Sequence, residues 1–197
     1  MKNIKDYINY IVEAKSRNPA KDASPDLCHL LLLFGTVLSQ KPTDILEVGL
    51  GPCASTMSIL AALKYNQKPF NYTAVDNLYD LGGNLQQGMI DLLKEEKVNI
   101  VISEEEKFIK ECPDNSYDLC ISDGDHMASG NWSKEYLRVC RNGGIIFAHD
   151  VTNEGYPTLK NYITMCQELN LPYRVFNEKS RPDEGCKTGF IMIFNKK

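Results

Sequence analysis

The chain predicts an α/β fold built on a mostly parallel, doubly wound sheet. From residue 44 onward, short apolar runs alternate with stretches of helical periodicity. The first run ends in a Gly-x-Gly turn, Gly49-Leu50-Gly51, that opens a helix of small and apolar residues. The last two apolar runs follow each other with only a polar loop between them. Alternation of strands and helices requires parallel pairing, with helices on both faces of the sheet. Two successive strands at the end predict an antiparallel hairpin at the sheet's edge, bringing the total to seven strands.

Each element has its own signal. Ile4, Tyr7, Ile8, Ile11 and Val12 share one helical face. Ser24-Pro25-Asp26 reads as the start of a second helix, a capping hydroxyl followed by proline in the first turn. Leu27, Leu30, Leu31, Phe34 and Leu38 form that helix's apolar stripe. Residues 1–41 are therefore a helical lead-in, and residues 42–197 the sheet-containing core of a single domain. Strands are expected near 44–49, 71–76, 98–102, 117–122 and 144–149. Helices are expected near 54–65, 84–95, 105–112, 129–141 and 155–169. In the last of these, Leu159, Tyr162, Ile163 and Cys166 fall on one side. Tyr173-Arg174-Val175-Phe176 and Thr188 to Phe194 supply the hairpin, joined by the loop 178–187.

The bulk properties exclude several functions. A chain of 197 residues, 43% hydrophobic and 24% charged, is ordinary for one globular domain. A net charge of −4 without a basic block argues against a nucleic-acid groove. No run approaches the roughly 18 apolar residues of a membrane span, and the first residues lack a secretory apolar core. Seven cysteines without CxxC spacing read as free thiols rather than a disulfide frame or zinc site. The expected location is cytoplasmic.

Ligands of open parallel sheets gather at the carboxyl ends of the strands. There the sequence places Glu47 and Gly49, then Asp76, then Ser103-Glu104-Glu105, then Asp123-Gly124-Asp125-His126, then His149-Asp150. A glycine turn brings backbone N–H groups close to a ligand, and an acid ending the second strand can accept both hydroxyls of a ribose. Together these point to a nucleoside-containing cofactor. The acidic run Glu104-Glu105-Glu106 otherwise suits a solvated helix start. Asp125 equally suits a helix cap, and His29, in its leucine-rich helix, reads as packing.

These residues resemble a class I S-adenosylmethionine-dependent methyltransferase with a Rossmann-like core, from about residue 40 to the end. Glu47-Val48-Gly49-Leu50-Gly51-Pro52-Cys53 is similar to the motif E/D-x-G-x-G-x-G, with Cys53 in place of the third glycine. Tyr117 to His126 resembles D-L-x-x-I-D-G-D-H, and Arg141 to Asp150 resembles P-G-G-x-x-x-x-H-D. Both are patterns of a small-molecule O-methyltransferase subgroup that includes catechol, caffeoyl-CoA and macrolide-sugar enzymes.

The resemblance implies S-adenosylmethionine contacting Glu47, Gly49, Gly51, Ser55, Asp76, Ser103, Glu104 and Asp123. It implies a magnesium or manganese ion at Asp123, His149 and Asp150, although magnesium prefers oxygen ligands throughout. It also implies His126 as general base, with Asp123 beside it. The expected partner is a small-molecule substrate; nucleic acid and membrane are not expected, and a homodimer is the candidate assembly. Amino-methylation of nucleic acid is disfavoured because strand four lacks an N/D-P-P-Y-like end. The rival readings are a nicotinamide or nucleotide-sugar binding domain and a non-catalytic S-adenosylmethionine-binding protein.

Overall fold

The computed structural model describes residues 3–17, 27–77, 84–176 and 189–196. The Ser24-Pro25-Asp26 helix start and the loop 178–187 lie outside these residues. Two helices, α1 (Ile4–Arg17) and α2 (Leu27–Gln40), lead into an alternating series: β1 (Asp44–Val48), α3 (Ala54–Asn66), β2 (Asn71–Asp76), α4 (Asn84–Glu95), β3 (Val98–Ile102), α5 (Glu105–Glu111) and β4 (Tyr117–Ser122). A short 3₁₀ turn, Ser129–Trp132, precedes α6 (Ser133–Val139) and β5 (Cys140–Ala148). Another, Pro157–Lys160, precedes α7 (Asn161–Glu168), and β6 (Tyr173–Phe176) and β7 (Phe190–Phe194) close the chain.

The strands form one seven-stranded sheet in the order β3-β2-β1-β4-β5-β7-β6. β1 to β5 run parallel, while β7 pairs antiparallel with both β5 and β6. β7 thus sits between β5 and β6, so the hairpin joins the sheet through its second strand. This is the Rossmann-like arrangement expected from the sequence. The order reverses between β1 and β4, and a crevice for ligands opens at such a point.

β5 begins at Cys140, earlier than the expected 144. Tyr117 pairs with Cys140 and Leu119 with Ile145, so a bulge absorbs the intervening residues. The bulge lets Arg141 reach Asp44 and Asp118 at 2.7 and 2.8 Å, tying the amino ends of β1, β4 and β5 together. The two expected helices around 129–141 and 155–169 each begin as a 3₁₀ turn before α6 and α7.

Both sheet faces are buried, as parallel sheets require. Along β1 and β5 the side chains alternate. Ile45, Ile145 and Phe147 pack with Ile11, Leu30, Leu33, Phe34, Val37 and Ile59 from α1, α2 and α3. Leu46, Ile146 and Ala148 pack with Ile109, Tyr136, Tyr162 and Met165 from α5, α6 and α7. Among the described residues no cysteine forms a disulfide; Cys186 lies outside them. Among the described residues, no helix is long and apolar enough to cross a membrane.

Candidate active site

The loops leaving the strands begin by continuing the sheet's hydrogen bonding. Gly49 N donates to Val75 O at 2.9 Å, Asp123 N to Val48 O at 2.8 Å, His149 N to Ser122 O at 3.1 Å and Ser103 N to Asp76 O at 3.2 Å. The residues the sequence singles out are therefore delivered to one rim from a rigid base.

At the end of β1 the two turn glycines serve different ends. Gly49 has φ +87°, and a Cβ there would fall 1.9 Å from the Asp123 carbonyl oxygen, so this glycine lets β1 and β4 approach. Gly51 has φ +44°, and among the described residues a Cβ there would meet nothing within 4 Å, so its outer face is open to them. Leu50 N donates to Asp76 Oδ2 at 2.7 Å, which holds the turn against the end of β2. Cys53 keeps the left-handed backbone of the glycine it replaces, at φ 59°. Its thiol is buried, and burial is the chief reason its pKa is pushed up to about 12.

Glu47 and Ser55 are buried. Glu47 is fully buried, and its carboxylate accepts from Ser55 Oγ, from Thr56 Oγ1 at 2.8 Å and from the Tyr72 hydroxyl at 2.5 Å. Burial pushes the Glu47 pKa up to about 7, against the lowering effect of those three hydroxyls. Glu47 and Ser55, both expected at the cofactor, thus brace one another in the interior beneath the turn. Ser103 and Glu104 do stand at the rim, with Asn77 Nδ2 donating to Glu104 Oε2 at 3.4 Å.

The densest chemistry lies beside the turn, past β4 and β5. His126 Nε2 stands 3.4 Å from Asp123 Oδ1 and 3.1 Å from Asp150 Oδ2. His149 Nδ1 stands 3.4 Å from each of the same two oxygens. Burial alone would lower both imidazole pKa values, but Asp123 and Asp150 together outweigh it and raise each to about 10. In turn, the rings hold both carboxyls below the ordinary range despite burial. The two carboxylates thus favour the protonated form of both rings. Asp150 adopts a left-handed backbone, φ 56°, rare for a residue with a Cβ.

A buried polar layer supports this cluster. Glu105 accepts from Ser129 Oγ, from the Tyr136 hydroxyl at 2.7 Å and from Asp125 N at 3.1 Å. Gly124 lets that carboxylate approach, since a Cβ there would fall 2.7 Å from Glu105 Oε2. Asp125 serves locally, accepting from Met127 N at 2.9 Å. The Tyr162 hydroxyl donates to Ser122 Oγ at 2.8 Å. Tyr156 stacks on His126 with ring centroids 4.8 Å apart. The buried His29 of α2 stacks on Phe190 and meets His149 edge-on at 5.6 Å. Trp132 is half-buried, with Lys110 Nζ 4.5 Å above its ring.

The rim fits the ligands its residues suggest. The turn is open at Gly51 beside the Asp76 carboxylate, as a nucleoside cofactor needs. One donor atom from each of Asp123, His126, His149 and Asp150 can be chosen so that all lie within 4.8 Å of one another. Among the described residues, Asp150 Oδ1 and His149 Nε2 are buried without a hydrogen-bond partner.

A sheet reversing between β1 and β4, a glycine turn and an acid at the end of β2 define a Rossmann-like α/β fold. A family model described as a methyltransferase domain matches residues 46–151, and the chain belongs to that family. Among solved structures, an O-methyltransferase from Bacillus cereus in complex with S-adenosylhomocysteine is similar at 13% identity and TM-score 0.71, covering 98% of this chain and 92% of that one. The O-methyltransferase of tomaymycin synthesis from Streptomyces achromogenes, in complex with S-adenosylmethionine, is similar at 12% identity and TM-score 0.69, covering 98% and 91%. A methyltransferase from Podospora anserina with S-adenosylhomocysteine bound is similar at 14% identity and TM-score 0.67, covering 97% and 88%. These likenesses are of fold. No curated protein matches the chain.

Proposed function

We propose that this chain transfers the methyl group of S-adenosylmethionine to a hydroxyl of a small molecule, assisted by a divalent cation. The observation that carries the reading is one of place: the open Gly51 turn and Asp76 adjoin the Asp123–His126–His149–Asp150 cluster at the sheet's switch point. The Asp76 carboxylate accepts the ribose hydroxyls, and the bare Gly51 admits the cofactor against the backbone. Asp123, next to Gly49, lies where cofactor and substrate meet. The donors for magnesium or manganese are Asp123, His149 and Asp150. When bound, the ion supplies positive charge that lowers the pKa of a substrate hydroxyl. The chain's own part is to orient the oxygen in line with the sulfonium methyl and to exclude water from it.

Calorimetry with S-adenosylmethionine and with a nicotinamide dinucleotide, each with and without magnesium and a chelator, tests the reading. S-adenosylmethionine should bind and the dinucleotide should not. Asp76→Ala should weaken S-adenosylmethionine binding by about 1.5–3 kcal/mol through loss of a charge-assisted acceptor. Release of S-adenosylhomocysteine in a screen of catechols, sugars and hydroxylated metabolites identifies the acceptor. Cofactor binding with no turnover on any hydroxyl would favour a non-catalytic binding protein.

A further inference from the structure

We propose that His126 is a metal ligand, completing with Asp123, His149 and Asp150 a four-donor centre for a first-row transition ion rather than magnesium. The inference deepens the proposed function and rests on its cation. It departs from the base role that the sequence suggests for His126.

Geometry comes first. Bonds of about 2.1 Å place neighbouring ligand atoms of one ion about 3.0–3.5 Å apart. The four contacts between imidazole nitrogens and carboxylate oxygens measure 3.1, 3.4, 3.4 and 3.4 Å. His126 Nε2 makes the shortest of them, so it belongs to the set as fully as His149 does. His126 Nε2 lies against both carboxylates.

The donor chemistry then selects the ion. Two imidazoles and two carboxylates suit manganese, iron, cobalt or zinc. Magnesium requires oxygen ligands in near-ideal octahedral geometry and gives up its waters reluctantly. The centre is also held ready. Tyr156 stacks on one face of His126, and His29 and Phe190 contact the His149 ring at 5.6 and 6.0 Å. These ring contacts restrict the rotation of both imidazoles. Asp150 Oδ1 is buried without a hydrogen-bond partner among the described residues, a cost that an ion reaching both oxygens of this carboxylate would offset.

The test uses the full chain, stripped with a chelator and then titrated with cobalt, zinc, manganese and magnesium salts by calorimetry. Cobalt binding is also read from its visible absorption. Zinc and cobalt should bind at least about 100-fold more tightly than magnesium. His126→Gln should weaken cobalt binding at least about 10-fold and change its absorption, whereas Asp125→Ala should do neither. Circular dichroism checks that each variant is folded. His149→Gln should likewise weaken cobalt binding at least about 10-fold; if it fails to fold, His126→Gln, at the half-exposed rim, decides alone. Equal or tighter magnesium binding, or unchanged cobalt binding by His126→Gln, overturns the proposal. S-adenosylmethionine binding and S-adenosylhomocysteine release are measured separately. Methyl transfer without any cobalt centre refutes this inference alone, and a cobalt centre without methyl transfer refutes the proposed function alone.

Discussion

The two turn glycines look alike in sequence and differ in what surrounds them. Gly49→Ala would drive a methyl into the Asp123 carbonyl, backbone against backbone, at a left-handed φ. It should destabilise the protein by more than about 3 kcal/mol, read by denaturant unfolding. Gly51→Ala meets open space. It should cost only about 1 kcal/mol of backbone strain while weakening S-adenosylmethionine binding. Equal stability losses at the two positions would contradict this division. Glu47 gives a pH signature. Its folded pKa lies at about 7, above the ordinary 4.5, because burial disfavours the anion. Between these values the folded state binds the proton more strongly than the unfolded chain does. Its stabilising contribution is thus full below about pH 4.5 and falls as pH rises to about 7, by about 3 kcal/mol. Glu47→Gln removes that titration. The stability difference between parent and variant should therefore change by this amount across pH 4.5 to 7 in chemical denaturation, and stay flat above. His126, His149 and the two aspartates titrate in both proteins, so their effects cancel in the comparison.

At the scale of elements, α5 shows what a sequence conceals and what it reveals. The run Glu104-Glu105-Glu106 suits a solvated helix start, yet Glu105 is buried and organises the loop that carries Asp123 and His126. A signal was present: Glu105, Ile109 and Cys112 recur at helical spacing and all are buried, while Glu106 points to solvent and pairs with Lys110 at 2.6 Å. Charge alone hid it, because a buried carboxylate becomes plausible only once its donors are known, and Ser129 and Tyr136 lie 24 and 31 residues away. Glu105→Ala should leave those donors unsatisfied and cost roughly 2–4 kcal/mol, with loss of methyl transfer as the loop loosens. Glu106→Ala removes only an exposed pair and should cost under about 0.5 kcal/mol. Thermal unfolding of the two variants, read beside turnover, checks the contrast. The strand ends were legible for the opposite reason. Asp76, Asp123, His149 and Asp150 are polar residues closing apolar runs, and a parallel sheet carries every such end to one side.

Across the whole molecule, the alternation of strands and helices reads directly as a parallel sheet, since period and length distinguish the elements. The insertion of β7 between β5 and β6 is not carried by that alternation but by composition: Phe190–Phe194 is wholly apolar, as an inner strand is, whereas Tyr173–Phe176 contains Arg174 and is only partly buried. The lead-in is the other lesson. Residues 1–41 precede the sheet in sequence, but in space α1 and α2 are part of one of its two helical layers. Ile11, Leu30, Leu33, Phe34 and Val37 are all at most 3% exposed against that face. Burial of such side chains contributes about 1.5–3 kcal/mol each, together comparable to the roughly 5–15 kcal/mol net stability of a domain. α2 also carries His29 to the back of His149, so the same layer supports the rim. A chain beginning at residue 42 should therefore show no cooperative thermal transition, bind an apolar dye and take up neither S-adenosylmethionine nor cobalt. A cooperative transition with parental cofactor affinity would instead make the lead-in an appendage, and would leave the sheet and its α5–α7 layer sufficient to hold the site.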